Sequence, residues 1–203
     1  MMMNRVTQAA IVGAVMLAAT PAAAADFSYT GNLSDPNQVQ LFNFTVGTES
    51  TVTLRSYSYA GGTNAAGQVI PRGGFDPILT LFDSSGALIG ENDDGGFNVS
   101  ADITGEQYDS FLQQLLGPGN YTVSVSVQSN FATGPNLSDG FENDGTFNDR
   151  SSFWAFDILG VNAASQVGAV PEPGTWLMML VGFGAIGASL RRRRRVTAVP
   201  VLA

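Results

Sequence analysis

Val39-Gln40-Leu41-Phe42-Asn43-Phe44-Thr45-Val46 alternates from Leu41 onward: Leu41, Asn43 and Thr45 on one face, Phe42, Phe44 and Val46 on the other. Asn120 to Val127 repeats the pattern with Tyr121, Val123, Val125 and Val127. A period of two marks a half-buried strand, because successive side chains leave opposite faces of the pleat. Ser50 to Tyr57 alternates with Val52 and Leu54. Ile78 to Phe82 is a short apolar strand, Asp83-Ser84-Ser85-Gly86 a turn, and Ala87 to Gly90 a return. Ser152 to Leu159 sets Phe153, Ala155 and Asp157 against Trp154, Phe156 and Ile158. Short strands cut by Gly, Asn and Asp turns predict an all-β chain, an antiparallel sandwich or jelly roll. Tyr108 to Leu116, carrying Phe111, Leu112, Leu115 and Leu116, is predicted as one short helix.

The strands fill a domain over residues 26–165, and both flanks read differently. Arg5 precedes the apolar run Ala9 to Ala19, then Thr20-Pro21 and four alanines ending at Ala25. That order predicts a secretory signal peptide over residues 1–25, cut by signal peptidase after Ala23-Ala24-Ala25. Residues 166–203 start as a linker. Pro171 and Pro173 hold the chain extended around Glu172. Trp176 to Leu190 carries no charge, and Ser189 is its only hydroxyl. At ~1.5 Å per residue it gives roughly 22 Å of helix against a ~30 Å hydrocarbon core. Trp176 at one interface and snorkelling Arg191, Arg192, Arg193, Arg194 and Arg195 at the other make up the difference. A single transmembrane helix over 176–190 is therefore expected, with the basic tail 191–195 on the cytoplasmic side. Gly182, Gly184 and Gly187 spell G-x-G-x-x-G, but they follow no strand, which excludes a dinucleotide fold. They allow close approach to a neighbouring helix instead.

The mature domain holds Arg55, Arg72 and Arg150, no lysine and sixteen acids, a net charge of −13. Nucleic acid and anionic membrane surfaces are poor partners for this domain, no nucleic-acid partner is expected, and cations are favoured. The chain has no cysteine, so no disulfide supports it. It has no histidine, which removes Ser-His-Asp and Cys-His catalysis and any histidine-ligated zinc. The chemistry left lies in two acidic loops. One starts at Gly73, includes Asp76 and Asp83, and continues through Glu91-Asn92-Asp93-Asp94. The other runs from Asp139 to Asp149. Clustered Asp, Asn and carbonyl oxygens suit calcium, the one cofactor these loops suggest. Neither loop fits the EF-hand spacing, and Asp, Asn and Gly are also the ordinary residues of turns.

Pro171-Glu172-Pro173, Trp176, the glycine-spaced apolar helix and the arginine run together resemble the PEP-CTERM sorting signal. The resemblance covers roughly the last 30 residues. It implies a Gram-negative host that makes extracellular polysaccharide, and an exosortase-type membrane protease that cuts near the Pro-Glu-Pro motif. The tail Val196 to Ala203 departs from the usual ending at the basic run. Phe75 to Asp83, Gly86 and Glu91 to Asp94, with Pro118-Gly119-Asn120-Tyr121-Thr122-Val123, resemble the pre-peptidase C-terminal β domain and a related domain of PEP-CTERM proteins. That resemblance implies a jelly-roll-like sandwich without catalysis. It also implies Asp76, Asp83, Asn92, Asp93 and Asp94 as calcium ligands.

Three functions compete, in this order. The first is a non-enzymatic surface or matrix protein, exported through the inner membrane, transiently anchored, then sorted by exosortase into an extracellular polysaccharide layer. The second is a calcium-assisted carbohydrate-binding module, with Tyr57, Tyr59, Phe97, Phe131 and Trp154 as stacking aromatics; Trp154, in an alternating strand, is expected to pack in the core. The third is a two-carboxylate glycosidase, for which Asp93 and Asp94 supply acids but no cleft.

Overall fold

The computed structural model describes residues 24–168, 180–184 and 186. One sheet is ordered β1 (Ala25–Asn32), β10 (Phe153–Val161), β3 (Ser50–Ser56), β8 (Phe111–Leu116). The second is ordered β11 (Ala163–Gln166), β2 (Gln40–Val46), β9 (Gly119–Val127), β6 (Pro77–Phe82), β7 (Leu88–Asn92). All pairings within both sheets are antiparallel. A two-stranded ribbon, β4 (Gly62–Thr63) with β5 (Val69–Ile70), forms a third, separate sheet.

The alternating residues meet between the sheets. Phe42, Phe44, Val46, Val123, Val125 and Val127 come from the second sheet. Val52, Leu54, Trp154, Phe156 and Ile158 come from the first, and all eleven join one buried cluster. Phe42 is the hinge of that packing. Its ring centroid lies 4.9 Å from Tyr29, 5.2 Å from Phe156 and 5.6 Å from Trp154, edge-on to the last. Gly31 pairs with Trp154 across β1 and β10. A Cβ there would lie 2.4 Å from the indole, so only glycine leaves room for the ring.

β10 is buried on both faces, which alternation alone did not foretell. Ala155 is covered by a second small cluster with Tyr57, Ile70 and Phe153, which brings in Ile70 of the ribbon. Asp157 is fully buried on the same face, where its Oδ2 accepts bonds from Tyr57 Oη and Ala65 N, each 2.8 Å. Every residue of β6 is buried as well, as its unbroken apolar run suggests.

The predicted helix over Tyr108 to Leu116 is instead β8, the edge strand beside β3. The apolar spacing fits a helix, but nine residues make a marginal helix without tertiary support. Pairing with β3 satisfies the open edge of the first sheet from Ser50↔Leu116 to Arg55↔Phe111. Ser110, just ahead, is pinned from three sides: its N–H donates to Ser56 Oγ, and its hydroxyl donates to the Pro77 and Asp93 carbonyls.

Two loops use one local device. In Asp83-Ser84-Ser85-Gly86 and Asp102-Ile103-Thr104-Gly105, Oδ1 of the aspartate accepts the N–H and hydroxyl of the residue two on. It also accepts the N–H four on, at Ala87 and Glu106. The chain then turns through glycine at φ 85° and 91°, a region that costs other residues.

The predicted signal peptide lies outside the described residues except for Ala24 and Ala25, and β1 begins at Ala25. Of the predicted span 176–190, residues 180–184 and 186 are described and helical. Among the described residues, no helix is long and apolar enough to cross a membrane. Pro171, Glu172, Pro173, Trp176 and Arg191 to Arg195 lie outside them.

Candidate functional site

The β6–β7 hairpin divides the five expected calcium ligands between its two ends. Leu79 faces Asn92 in the register, so Asp76, before β6, meets Asp93 and Asp94, after β7, at the open end. Asp83 starts the turn at the closed end. Its Oδ1 is taken by Ser85 Oγ at 2.6 Å, Ser85 N at 2.8 Å and Ala87 N at 3.0 Å, and these bonds hold its carboxyl below the usual range. Asn92 staples β7 to β8: Oδ1 accepts Phe111 N at 2.8 Å, and Nδ2 donates to the Asp94 carbonyl at 3.1 Å. Asp83 Oδ1 and the Asn92 amide are thus engaged in holding the local chain. Among the described residues, no three acidic side chains gather as a group that could hold a metal ion.

The open end has its own electrostatics. One carboxylate oxygen of Asp76, Oδ1, is buried without a hydrogen-bond partner among the described residues. Burial, then the carboxylates of Asp94, Asp93 and Asp109, push the Asp76 pKa up to about 8, against an opposing pull from Arg150. Burial also raises Asp93, with help from Asp94 and Glu91, and raises Asp94, with help from Glu106. Arg150 lies over the Tyr59 ring with Cζ 3.3 Å from its centroid. Its Nη1 donates to the Tyr59 and Gly74 carbonyls, both at 3.1 Å, and Nη2 pairs with Asp102 Oδ2 at 3.2 Å. Tyr59 meets Tyr108 edge-on at 5.0 Å. Together with Asp76 and Phe147 these groups line a cavity of about 220 Å³.

Asp76 makes a pH-dependent prediction. Its folded pKa lies above its unfolded value of 3.8, so it favours folding when protonated. That contribution is complete below about pH 4 and is lost as pH rises through about 8. Asp76→Asn removes the loss. Discounted for partial exposure, the variant is expected to be about 2 kcal/mol more stable than wild type at pH 9. Near pH 4 the two should melt together. Thermal unfolding at both pH values checks this.

Two buried acids escaped sequence reasoning. Asp109 Oδ1 accepts Ser56 Oγ at 2.8 Å and Tyr59 N at 3.0 Å, and Oδ2 accepts Ala60 N at 2.8 Å. Asp157 anchors Tyr57 and the ribbon, as described above. Neither stands in an acidic run, so no local signal marks it. In the second acidic loop, Asp139 Oδ2 accepts Asn136 N at 2.9 Å, and Asn143 N donates to Asn130 Oδ1 at 2.8 Å. Of the expected stacking aromatics, Tyr57 and Trp154 are core residues, Tyr59 is held by Arg150 and Tyr108, and Phe131 is half-buried. Phe97 is 99% exposed.

A second concavity lies elsewhere. A groove of about 600 Å³ opens on the outer face of the second sheet, floored by β2, β9 and β11 and walled by the Asp83–Gly86 turn.

The PEP-CTERM protein-sorting motif matches residues 169–195 of this chain. Such motifs are recognised by exosortase and mark an exported protein for sorting to the cell surface. No curated protein matches the chain.

Proposed function

We propose that this chain is a non-enzymatic surface or extracellular-matrix protein that exosortase sorts into an exopolysaccharide layer. Signal peptidase frees Asp26, and the helix over 176–190 holds the protein in the inner membrane of a Gram-negative host until processing. The observation that carries this reading is the sorting motif at 169–195, which begins three residues after β11 ends at Gln166. The sandwich is then the cargo, a relative in kind of the pre-peptidase C-terminal domains. Its acids support a passive body. Asp83, Asp102, Asp109, Asp139 and Asp157 each accept hydrogen bonds from backbone N–H groups. A carboxylate committed in this way holds a loop and is a poor general acid or base.

The test is fractionation of the native host. Wild-type chain is expected in the extracellular polysaccharide fraction, accessible to added protease on intact cells. The triple variant Pro171→Ala, Glu172→Ala, Pro173→Ala is expected to stay in the inner membrane. Wild-type protein that stays in the inner membrane or periplasm would overturn the reading.

A further inference from the structure

The outer face of the second sheet is closed along most of its length. Thr80, Ser124 and Ser126 point outward, yet all three are fully buried. The face opens toward β2 and β11, and there the register builds a regular polar floor. One row across the strands is Ser165, Asn43 and Thr122, and the next is Ala163, Thr45 and Asn120. Thr122 Oγ1 donates to Asn43 Oδ1 at 3.0 Å, and Thr45 Oγ1 donates to Asn120 Oδ1 at 2.9 Å. Each bond runs across the β2–β9 pair and fixes the carboxamide it meets. The acceptor end of each amide thereby takes one bond, while among the described residues Nδ2 of Asn43 and of Asn120 has no acceptor. Both asparagines are exposed.

We infer that this groove binds a neutral polyhydroxylated chain, a polysaccharide without carboxylate or sulfate groups. The floor offers oriented amide donors and hydroxyls at roughly 5 Å across strands and ~7 Å along them, a spacing on the scale of one sugar ring. Such groups match hydroxyls, which both donate and accept. Among the described residues, the groove is lined by no cation that could attract an anionic polymer. The one charge among the described residues of its wall, Asp83, is already bound to Ser85 and Ala87. The mature domain's net charge of −13 repels anionic polymers further. Leu137 at the rim adds an apolar contact of the kind a ring face takes. No metal enters this reading. It rests on the exopolysaccharide reading only for the source of the ligand.

Affinity electrophoresis of the full chain in a polyoxyethylene detergent tests it. The gels contain dextran, hydroxyethylcellulose, galactomannan or alginate. Retardation is expected in at least one of the three neutral gels and not in alginate. The double variant Asn43→Ala, Asn120→Ala is expected to lose at least tenfold in apparent affinity, with its melting temperature unchanged. Gln113→Ala, exposed on β8 in the other sheet, should behave as wild type. Retardation in none of the neutral gels, equal retardation of the double variant, or stronger retardation in alginate would overturn the site. Sorting is read separately, by fractionation, so failure here leaves that reading standing.

Discussion

Trp154→Ala is expected to destabilise the sandwich by about 3–5 kcal/mol, the range for deleting a large buried aromatic and leaving its cavity. Trp154 is 1% exposed, packs edge-on against Phe42 from the opposite sheet, and fills the space that Gly31 leaves open. For a domain of this size the loss corresponds to roughly 10–15 °C in melting temperature. Trp154→Phe should cost much less, about 1–2 kcal/mol. Among the described residues the indole Nε1 has no hydrogen-bond partner, so the smaller ring gives up volume and no bond. Thermal unfolding of the two variants separates packing from hydrogen bonding at this position. Equal losses would show that the indole nitrogen is engaged after all.

Asp109→Ala is expected to cost about 3–4 kcal/mol, for a different reason: it strands buried donors. Ser56 Oγ and the N–H groups of Tyr59 and Ala60 would lose their shared acceptor. Burial raises the Asp109 pKa, and these same bonds pull it back, so the carboxylate and its donors stabilise each other. Asp109→Asn keeps the shape but loses acceptor capacity, and about 1–2 kcal/mol is expected. The Tyr57–Ala60 segment should also become more susceptible to chymotrypsin in Asp109→Ala. A loss within 0.5 kcal/mol of zero, roughly the noise of surface substitutions, would remove the staple role.

Which elements were legible follows from how each strand is buried. β2, β3, β9 and β10 each bury one alternating face in the common core, so the period of two survives in the residues. β6, buried throughout, survives as an apolar run. β11, Ala163-Ala164-Ser165-Gln166, is a short edge strand of small and polar residues and leaves no pattern to find. β1 borders the alanines of the expected signal peptide, which drew the eye from its Phe27 and Tyr29. β8 was misread because the spacing of Phe111, Leu112, Leu115 and Leu116 fits a helical face, and only the open edge of β3 decides otherwise.

The acids divide in the same way. Asp83 and Asp102 act within four residues of themselves, but the sequence reading marked only the Asp83 turn, and the shared hydrogen-bond pattern is seen in the fold. Asp109 and Asp157 act across 49 to 100 residues, and only the fold brings their partners together. The groove was half visible. Asn43 and Thr45 already stood on the polar face of their strand, but their pairing with Thr122 and Asn120 is a matter of register.

The intact mass of the protein recovered from the surface of its host is the most direct measurement of sorting. The expected chain begins at Asp26 and ends near Pro171-Glu172-Pro173, having lost the apolar stretch 176–190 and Arg191 to Arg195. A surface-recovered chain that still carries Arg191 to Arg195 would contradict exosortase processing.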